Sequence, residues 1–154
     1  MSGKLADELR QSKPFASVEE EAMLNLARTH EFVSQRMAGF FKRFQLTATQ
    51  YNILRILRGA GTDGISCSEA AARMVTADSD ITRLLDRLEA RNLIARERSR
   101  EDRRVVKSRI TADGLDLLRT IDKPLAAFMK TIAGPAGQEK LRQLIEILET
   151  IRQG

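Results

Sequence analysis

The clearest pattern in the sequence is a short amphipathic helix at residues 79–91. Its large aliphatic side chains recur at i, i+3, i+4 and i+7 and so share one face: Ile81, Leu84, Leu85 and Leu88. The opposite face is polar and charged. Asn92 follows, and asparagine is the non-glycine residue that most readily takes the left-handed conformation that ends helices. The pattern predicts a helix that packs through one face and presents the other.

Beyond this helix the repeat of the apolar positions changes from 3.6 residues to 2 residues. This change indicates a β-hairpin with strands near residues 94–98 and 105–110. Its tip, residues 99–104, is charged. Between residues 94 and 110 the chain has seven basic and three acidic residues, an excess of four in a chain of net charge +5. Most of the net charge therefore lies on a narrow ribbon. A short helix of a size that fits a groove of duplex nucleic acid, followed by a basic β-hairpin, predicts a winged helix-turn-helix that binds nucleic acid.

Two capping boxes mark the helices that precede this pair, at residues 47–50 and 66–69. The first box opens a helix that Gly59 is expected to end. The second opens a short alanine-rich helix over residues 66–74. Residues 75–78 then form the turn that leads into the amphipathic helix, so the helix-turn-helix comprises residues 66–74 and 79–91.

Long helices are predicted at both ends of the chain. Residues 18–44 have an apolar stripe with alternating steps of three and four: Met23, Leu26, His30, Val33, Met37, Phe40 and Phe44. Thr111 caps a helix over residues 112–133, which Pro124 is expected to kink. After Gly134-Pro135, a last helix carries the stripe Leu141, Leu144, Ile145, Leu148 and Ile151. Apolar faces of this size need a partner, most simply a second copy.

The predicted fold is therefore mostly α with a small β-hairpin wing, a winged helix-turn-helix domain plus terminal dimerisation helices. Residues 1–45 are assigned to an N-terminal arm and dimerisation helix. Residues 46–111 are assigned to the DNA-binding domain, and residues 112–154 to the C-terminal dimerisation helices.

Two motifs of the ribbon resemble the wing signature of MarR-type transcriptional regulators, usually written DxR followed by LTxxG. They are Asp102-Arg103-Arg104 and Ile110-Thr111-Ala112-Asp113-Gly114, with nine residues from Asp102 to Thr111. The order of the helices is similar over nearly the whole chain. Asn92 departs from the family, which usually has glycine there. The resemblance implies a homodimeric repressor that binds a pseudo-palindromic DNA duplex at its own or a neighbouring promoter and is released by a small apolar or phenolic ligand.

Two groups of residues are expected to contact DNA. Thr82 and Arg83 lie one turn from the helix N-terminus, where such helices meet base edges, and Arg87 is better placed for a phosphate. The acids Asp80 and Asp86 are expected to cap the helix or to orient the arginines. The resemblance implies that Arg104 enters the minor groove and that Asp102 braces it. The complete predicted set is Ser66, Ser79, Thr82, Arg83, Arg87, Asp102, Arg103 and Arg104.

Composition excludes several other classes of protein. No run of about 18 apolar residues is present, and the polar N-terminus lacks the apolar segment of a signal peptide, so a cytoplasmic protein is expected. One cysteine excludes an internal disulfide. One histidine and one cysteine in distant segments predict no metal site. No nucleophile lies near a base and no glycine loop for phosphate is present, so neither enzymatic activity nor a cofactor is expected.

A small effector is expected to bind near the first long helix. His30 is either a core or interface residue or, as the resemblance implies, part of an effector site with Met37, Phe41 and Tyr51. Two alternatives stay open at this point. Cys67, in the first turn of a helix, could make the protein a redox-responsive regulator. The winged helix could instead be a module for contact with another protein.

Overall fold

The computed structural model describes residues 3–154 as two compact units, which meet in sequence at Phe40 and Phe41. The first unit contains α1 (Leu5–Glu8) and all but the last two residues of α2 (Val18–Lys42). Three glutamates, Glu19 to Glu21, lie in the first turn of α2, where negative charge is favourable beside the exposed backbone N–H groups. The predicted first long helix is thus confirmed.

Helix α2 ends two residues before the predicted Phe44. The N–H of Gln45 donates to the carbonyl of Lys42 (3.0 Å), and the N–H of Leu46 donates to the carbonyl of Phe41 (3.2 Å). This pair of bonds is a Schellman motif, and Gln45 has the positive φ of 56° that the motif requires. The apolar pattern continues past the helix because Leu46, beyond the turn, is buried.

The second unit contains the remaining elements in the following order: α3 (Ala48–Ala60), β1 (Ile65–Ser66), α4 (Cys67–Ala72), α5 (Ile81–Ala90), β2 (Ile94–Arg98), β3 (Val106–Ile110), α6 (Ala112–Ala133), a 3-10 turn (Gly134–Ala136) and α7 (Gln138–Gln153). The predicted helix-turn-helix is α4 and α5, and the predicted wing is β2 and β3. Thr111 caps α6 as expected, accepting a hydrogen bond from the N–H of Gly114 (3.1 Å). Pro124 lies within α6 without ending it.

The three strands form an antiparallel sheet in the order β1-β3-β2. Strand β2 pairs with β3 from Ile94 opposite Ile110 to Arg98 opposite Val106, as the hairpin prediction requires. The two-residue strand β1 was not predicted. It pairs Ile65 with Ser108 on the other side of β3. Two residues are too few to show the alternation of apolar and polar positions that predicts a strand. In the sequence, Ser66 is predicted only as a helix cap.

The core of the second unit is built from α3, α5, the sheet, α6 and the last residues of α2. Its most deeply buried side chains are Phe41, Ile53, Leu54, Leu57, Leu85, Leu88, Ile94, Leu118 and Ile121. Helix α3 supplies consecutive turns of this core, and α5 packs on it through the predicted apolar face. The charged face of α5 is left at the surface.

Both capping boxes are present, with Thr47 and Ser66 as the capping hydroxyls. Three predicted boundaries differ. Gly59 does not end α3, which continues to Ala60 and stops at Gly61, whose φ is 73°. Helix α4 ends at Ala72, two residues before the predicted end. Helix α5 begins at Ile81 and not at residue 79, because Asp80 has the non-helical backbone angles of a residue that precedes a helix (φ −126°, ψ 47°).

Within residues 3–154, no helix is both long enough and apolar enough to cross a lipid bilayer. In the same residues, no three histidine, cysteine or acidic side chains lie together as a metal-binding group.

A close approach at Gly114 generates the first prediction. A Cβ at this buried position would lie against the carbonyl oxygen of Leu93 and 2.7 Å from Cγ1 of Ile110. We expect Gly114→Ala to lower the free energy of unfolding by about 1–3 kcal/mol, the usual cost of an overpacked core. Urea denaturation at one protein concentration measures this change.

Gly59→Ala is the matched control, because a Cβ at Gly59 meets no atom within 4 Å. Glycine in a helix is about 1 kcal/mol less favourable than alanine, so this variant should be as stable as the original protein or more so. Equal stability of the two alanine variants would contradict the proposed crowding at Gly114.

Candidate nucleic-acid interface

The recognition helix α5 presents the predicted contact residues on its solvent face. Thr82, Arg83 and Arg87 are exposed, whereas the leucines of the other face are buried. Nε of Arg83 lies 3.3 Å from Oδ2 of Asp80. Asp80 was expected either to cap α5 or to orient an arginine. Its side chain makes no capping hydrogen bond and instead pairs with Arg83.

The two predicted serines differ in what their hydroxyls do. The Ser66 hydroxyl is half-buried and accepts from the N–H of Glu69 (3.2 Å). It also lies 3.1 Å from the hydroxyl of Ser68. Ser66 is therefore first of all the cap of α4. Ser79 lies exposed in the turn before α5.

At the wing tip, Asp102 holds Arg104 in the predicted way. Its carboxylate accepts from the backbone N–H of Arg104 (3.0 Å), from Nε (3.1 Å) and from Nη2 (3.2 Å). These bonds keep the pKa of Asp102 below its usual value, so the acid stays ionised. The Arg104 side chain is nevertheless 91% exposed. The tip thus presents a guanidinium that is both oriented and free of the core.

The backbone of the tip is fixed by contacts that sequence reasoning missed. Ser99 is buried, and its N–H donates to the carbonyl of Val105 (2.8 Å). Nη1 of Arg98 donates to the carbonyl of Arg103 (2.9 Å), which leaves the Arg103 side chain exposed. Arg98 therefore supports the backbone of the tip, although a basic residue in the wing would by its charge alone be assigned to DNA binding.

A third arginine, Arg96 of β2, reaches the recognition helix. Its Nη2 lies 2.5 Å from Oδ1 of Asp86 and 2.9 Å from Oε1 of Glu89. The hydrogen bond from Arg96 lowers the pKa of Glu89, and the carboxylates raise the pKa of Arg96. Asp86 does orient an arginine, as predicted, but that arginine belongs to the wing. The only signal in the sequence was the spacing of the two acids, which places them on one helix face.

Two further arginines, Arg109 and Arg91, have partners within the protein. Nη2 of Arg109 pairs with Oε1 of Glu97 (3.1 Å) within the wing. Nη1 of Arg91 donates to the carbonyl of Gln45 (2.5 Å). Both arginines therefore have structural partners, and neither belongs to the predicted contact set.

The expected effector residues lie in both units. In the first unit, His30 is exposed and Met37 half-buried on α2. In the second, the rings of Phe41 and Tyr51 stack with centroids 4.5 Å apart, and burial raises the pKa of Tyr51. Cys67 is a half-buried free thiol. His30, Met37, Phe41 and Tyr51 remain predicted contacts of an effector.

Comparison with known proteins identifies relatives along the whole fold. The sequence model of the MarR family matches residues 46–106. A MarR transcription factor from Planctomyces limnophilus is 37% identical, with a TM-score of 0.69, over 89% of this chain and 99% of that one. The HTH-type transcriptional regulator MhqR of Bacillus subtilis (strain 168) is 25% identical over 126 residues, which are 82% of this chain and 86% of MhqR.

A structure of Bordetella bronchiseptica BpsR, whose DNA binding is regulated by 6-hydroxynicotinic acid, has a TM-score of 0.80 at 20% identity. It covers 92% of this chain and 99% of BpsR, and at that identity it shows the shared fold. The match within the winged helix and the 37% identity over nearly all of a solved relative agree with the exposed arginines of α5 and the wing. The chain belongs to the MarR family of transcriptional regulators.

Proposed function

We propose that this regulator is a homodimeric repressor that binds a pseudo-palindromic operator. Residues 46–111 are its proposed DNA-binding domain, which we call the reading head. The observation that carries the proposal is the pair of oriented, exposed guanidinium groups at Arg83 and Arg104. An arginine near the start of a recognition helix is suited to a guanine edge in the major groove. An arginine at a wing tip is suited to a narrow, electronegative minor groove. The proposed place of action is the cytoplasm.

The other predicted contact residues are proposed to position the reading head on the DNA backbone and not to recognise bases. Arg87 and Arg103 are exposed and carry charges that suit phosphates. Thr82 and Ser79 are exposed and can donate hydroxyl hydrogen bonds to the DNA backbone. Asp102 contributes indirectly, since its carboxylate is already occupied by Arg104.

Dimerisation is proposed through the terminal helices. Helix α7 exposes Leu144, Ile145 and Ile151 along its predicted stripe, and α2 exposes Met23 and Leu26 along its own. Large apolar side chains that recur along one face of a helix indicate a protein interface. A two-fold dimer places two reading heads on one duplex, which is why a pseudo-palindromic operator is proposed.

The reading of DNA is tested with an operator selected from random duplexes. We expect Arg83→Ala to cost about 1–3 kcal/mol on this operator and to relax the preference at one base pair. Arg104→Ala should weaken binding, remove any preference for A·T-rich flanks and lower the salt slope by about one unit. Titrations on flank-swapped operators measure all three effects.

Arg119→Ala is the matched control, because Arg119 is exposed and pairs only with Asp116 on its own helix among the ion pairs found in residues 3–154. It removes the same charge and should leave both preferences unchanged. Affinity of the original protein should also fall by orders of magnitude between ~50 and ~200 mM salt. A flat salt response would instead favour a winged helix used for contact with another protein.

The dimer is tested with Ile145→Glu. Ile145 is 54% exposed on the apolar stripe of α7, and a carboxylate buried there without a partner would cost more than about 2 kcal/mol. Sedimentation should show a shift from dimer toward monomer with unchanged helical content. Gln143→Glu, which adds the same charge on the opposite face of α7, should remain dimeric. Two equally dimeric variants would remove α7 from the interface.

Release by a small apolar or phenolic effector is proposed from the regulated relatives, with Phe41 and Tyr51 as candidate contacts in the second unit. A ligand that releases DNA must bind the DNA-competent state less tightly, and this coupling is reciprocal. With salicylate as the probe, calorimetry should show weaker binding in the presence of operator, by the same factor by which salicylate weakens operator binding. Equal salicylate affinity in both states would exclude release by this compound.

A further inference from the structure

Arg96 connects the two DNA-contacting elements of the reading head. Its backbone lies in β2, where it pairs with the buried Ser108 of β3. Its guanidinium ends on α5, and one nitrogen, Nη2, lies within hydrogen-bonding distance of both Asp86 and Glu89. The Arg96 side chain is 22% exposed, far less than the wing-tip arginine. It is therefore placed between the wing and the helix and not toward solvent.

We propose that Arg96 is a positioning residue for DNA binding, which holds the recognition helix and the wing in one orientation so that Arg83 and Arg104 meet the DNA together. This inference rests on the proposed function, because it assumes that those two arginines contact DNA.

The geometry supports positioning because the bridge has two attachment points on the helix. Asp86 and Glu89 are three residues apart and so lie on neighbouring turns of one face of α5. The two protons of Nη2 serve one carboxylate each, at 2.5 and 2.9 Å. The buried leucines hold one face of α5 on the core, and the two attachments tie its exposed side to β2 at two successive positions. The α5 face that carries Arg83 is thereby fixed relative to the strand that leads to the wing tip.

The charges strengthen the bridge over the range of neutral pH. The pKa of Glu89 is lowered by its hydrogen bond with Arg96, and the pKa of Arg96 is raised by the two acids. Both shifts favour the ionised forms, which make the shorter and stronger hydrogen bonds. Glu89 and Arg96 therefore remain paired as ions.

A fixed orientation has a measurable consequence for binding. When two contacts are made by a rigid body, the first contact orders the second at little further cost. The two contacts then reinforce each other, and losing one weakens the other. If the helix and the wing moved independently, the two contacts would contribute separately.

A simpler explanation is that Arg96 only cancels the negative charge of two acids near DNA. The two explanations predict opposite results when those acids are removed. The double variant Asp86→Asn/Glu89→Gln gains two units of positive charge relative to the original protein. Charge alone would make it bind DNA more tightly. Loss of a positioning bridge would make it bind less tightly and with less discrimination.

The experiment measures affinity for A·T-flanked and G·C-flanked operators at fixed salt. We expect both Asp86→Asn/Glu89→Gln and Arg96→Met to lose about tenfold in affinity for the A·T-flanked operator, a coupling of the size usual for bridged residues, and to lose most of the flank preference. In the original protein, Arg83→Ala and Arg104→Ala should be coupled in a double-mutant cycle. In the Arg96→Met background their effects should become additive.

Glu97→Gln is the matched control, because Glu97 pairs with Arg109 within the wing and not across to the helix. It removes one negative charge and should tighten binding slightly without changing the flank preference. Melting temperatures and circular dichroism separate misfolding from repositioning. Should Arg96→Met fail to fold, the double variant on α5 carries the same test with the arginine left in place.

The outcomes distinguish this inference from the function on which it rests. If the original protein shows no operator affinity, or a flank preference that Arg104→Ala leaves intact, the proposed function fails and the inference fails with it. If the original protein shows a flank preference that depends on Arg104, and the double variant on α5 binds more tightly with that preference unchanged, Arg96 acts only by charge. That second result would overturn the positioning role alone.

Discussion

The turn at Asn92 and Leu93 is the constraint on which the reading head depends. Asn92 has a φ of 57°, and the N–H of Leu93 closes α5 on the carbonyl of Leu88 (3.0 Å). From the other side, the N–H of Thr111 donates to the carbonyl of Leu93 (3.1 Å), and the Thr111 hydroxyl donates to the carbonyl of Asn92 (2.7 Å). The end of the recognition helix, the start of the wing and the start of α6 therefore meet at two residues.

The crowding of that turn explains two features of the motif after the wing. Gly114 lies so close to the Leu93 carbonyl that a side chain has no room, and Thr111 caps α6 while bonding the turn. The side chain of Asn92 also donates to Asp113 (2.8 Å). Asparagine thus contributes a hydrogen bond that glycine cannot make, together with the left-handed backbone that either residue accepts.

Acids determine which arginines of this basic surface project into solvent and which link parts of the fold. Arg83 and Arg104 are each paired with a carboxylate two or three residues away, and such local pairs orient an exposed side chain without burying it. Arg96 and Arg109 are paired with acids from other parts of the chain and so become structural links. Exposed ion pairs contribute little to stability, so their main effect here is on geometry. A count of positive charges therefore does not distinguish the exposed arginines from those that link parts of the fold.

The sequence by itself determined the long helices and the wing, and the resemblance to the MarR family added Asp102 and Arg104 to the candidate contacts. Periodicity and capping act over a few residues, so α5, both capping boxes, the two strands of the hairpin and the turn at Asn92 could be predicted without knowledge of the packing. Local patterns failed where a distant partner decides the outcome. The strand at Ile65 exists because β3 offers an edge, and α3 passes Gly59 because its next turn still makes helical bonds before Gly61. Arg96 and Arg104 look alike in sequence. Only the tertiary structure decided that Arg96 reaches the acids of α5 while Arg104 is left exposed, because the direction of a side chain depends on which face of the strand packs against the helix.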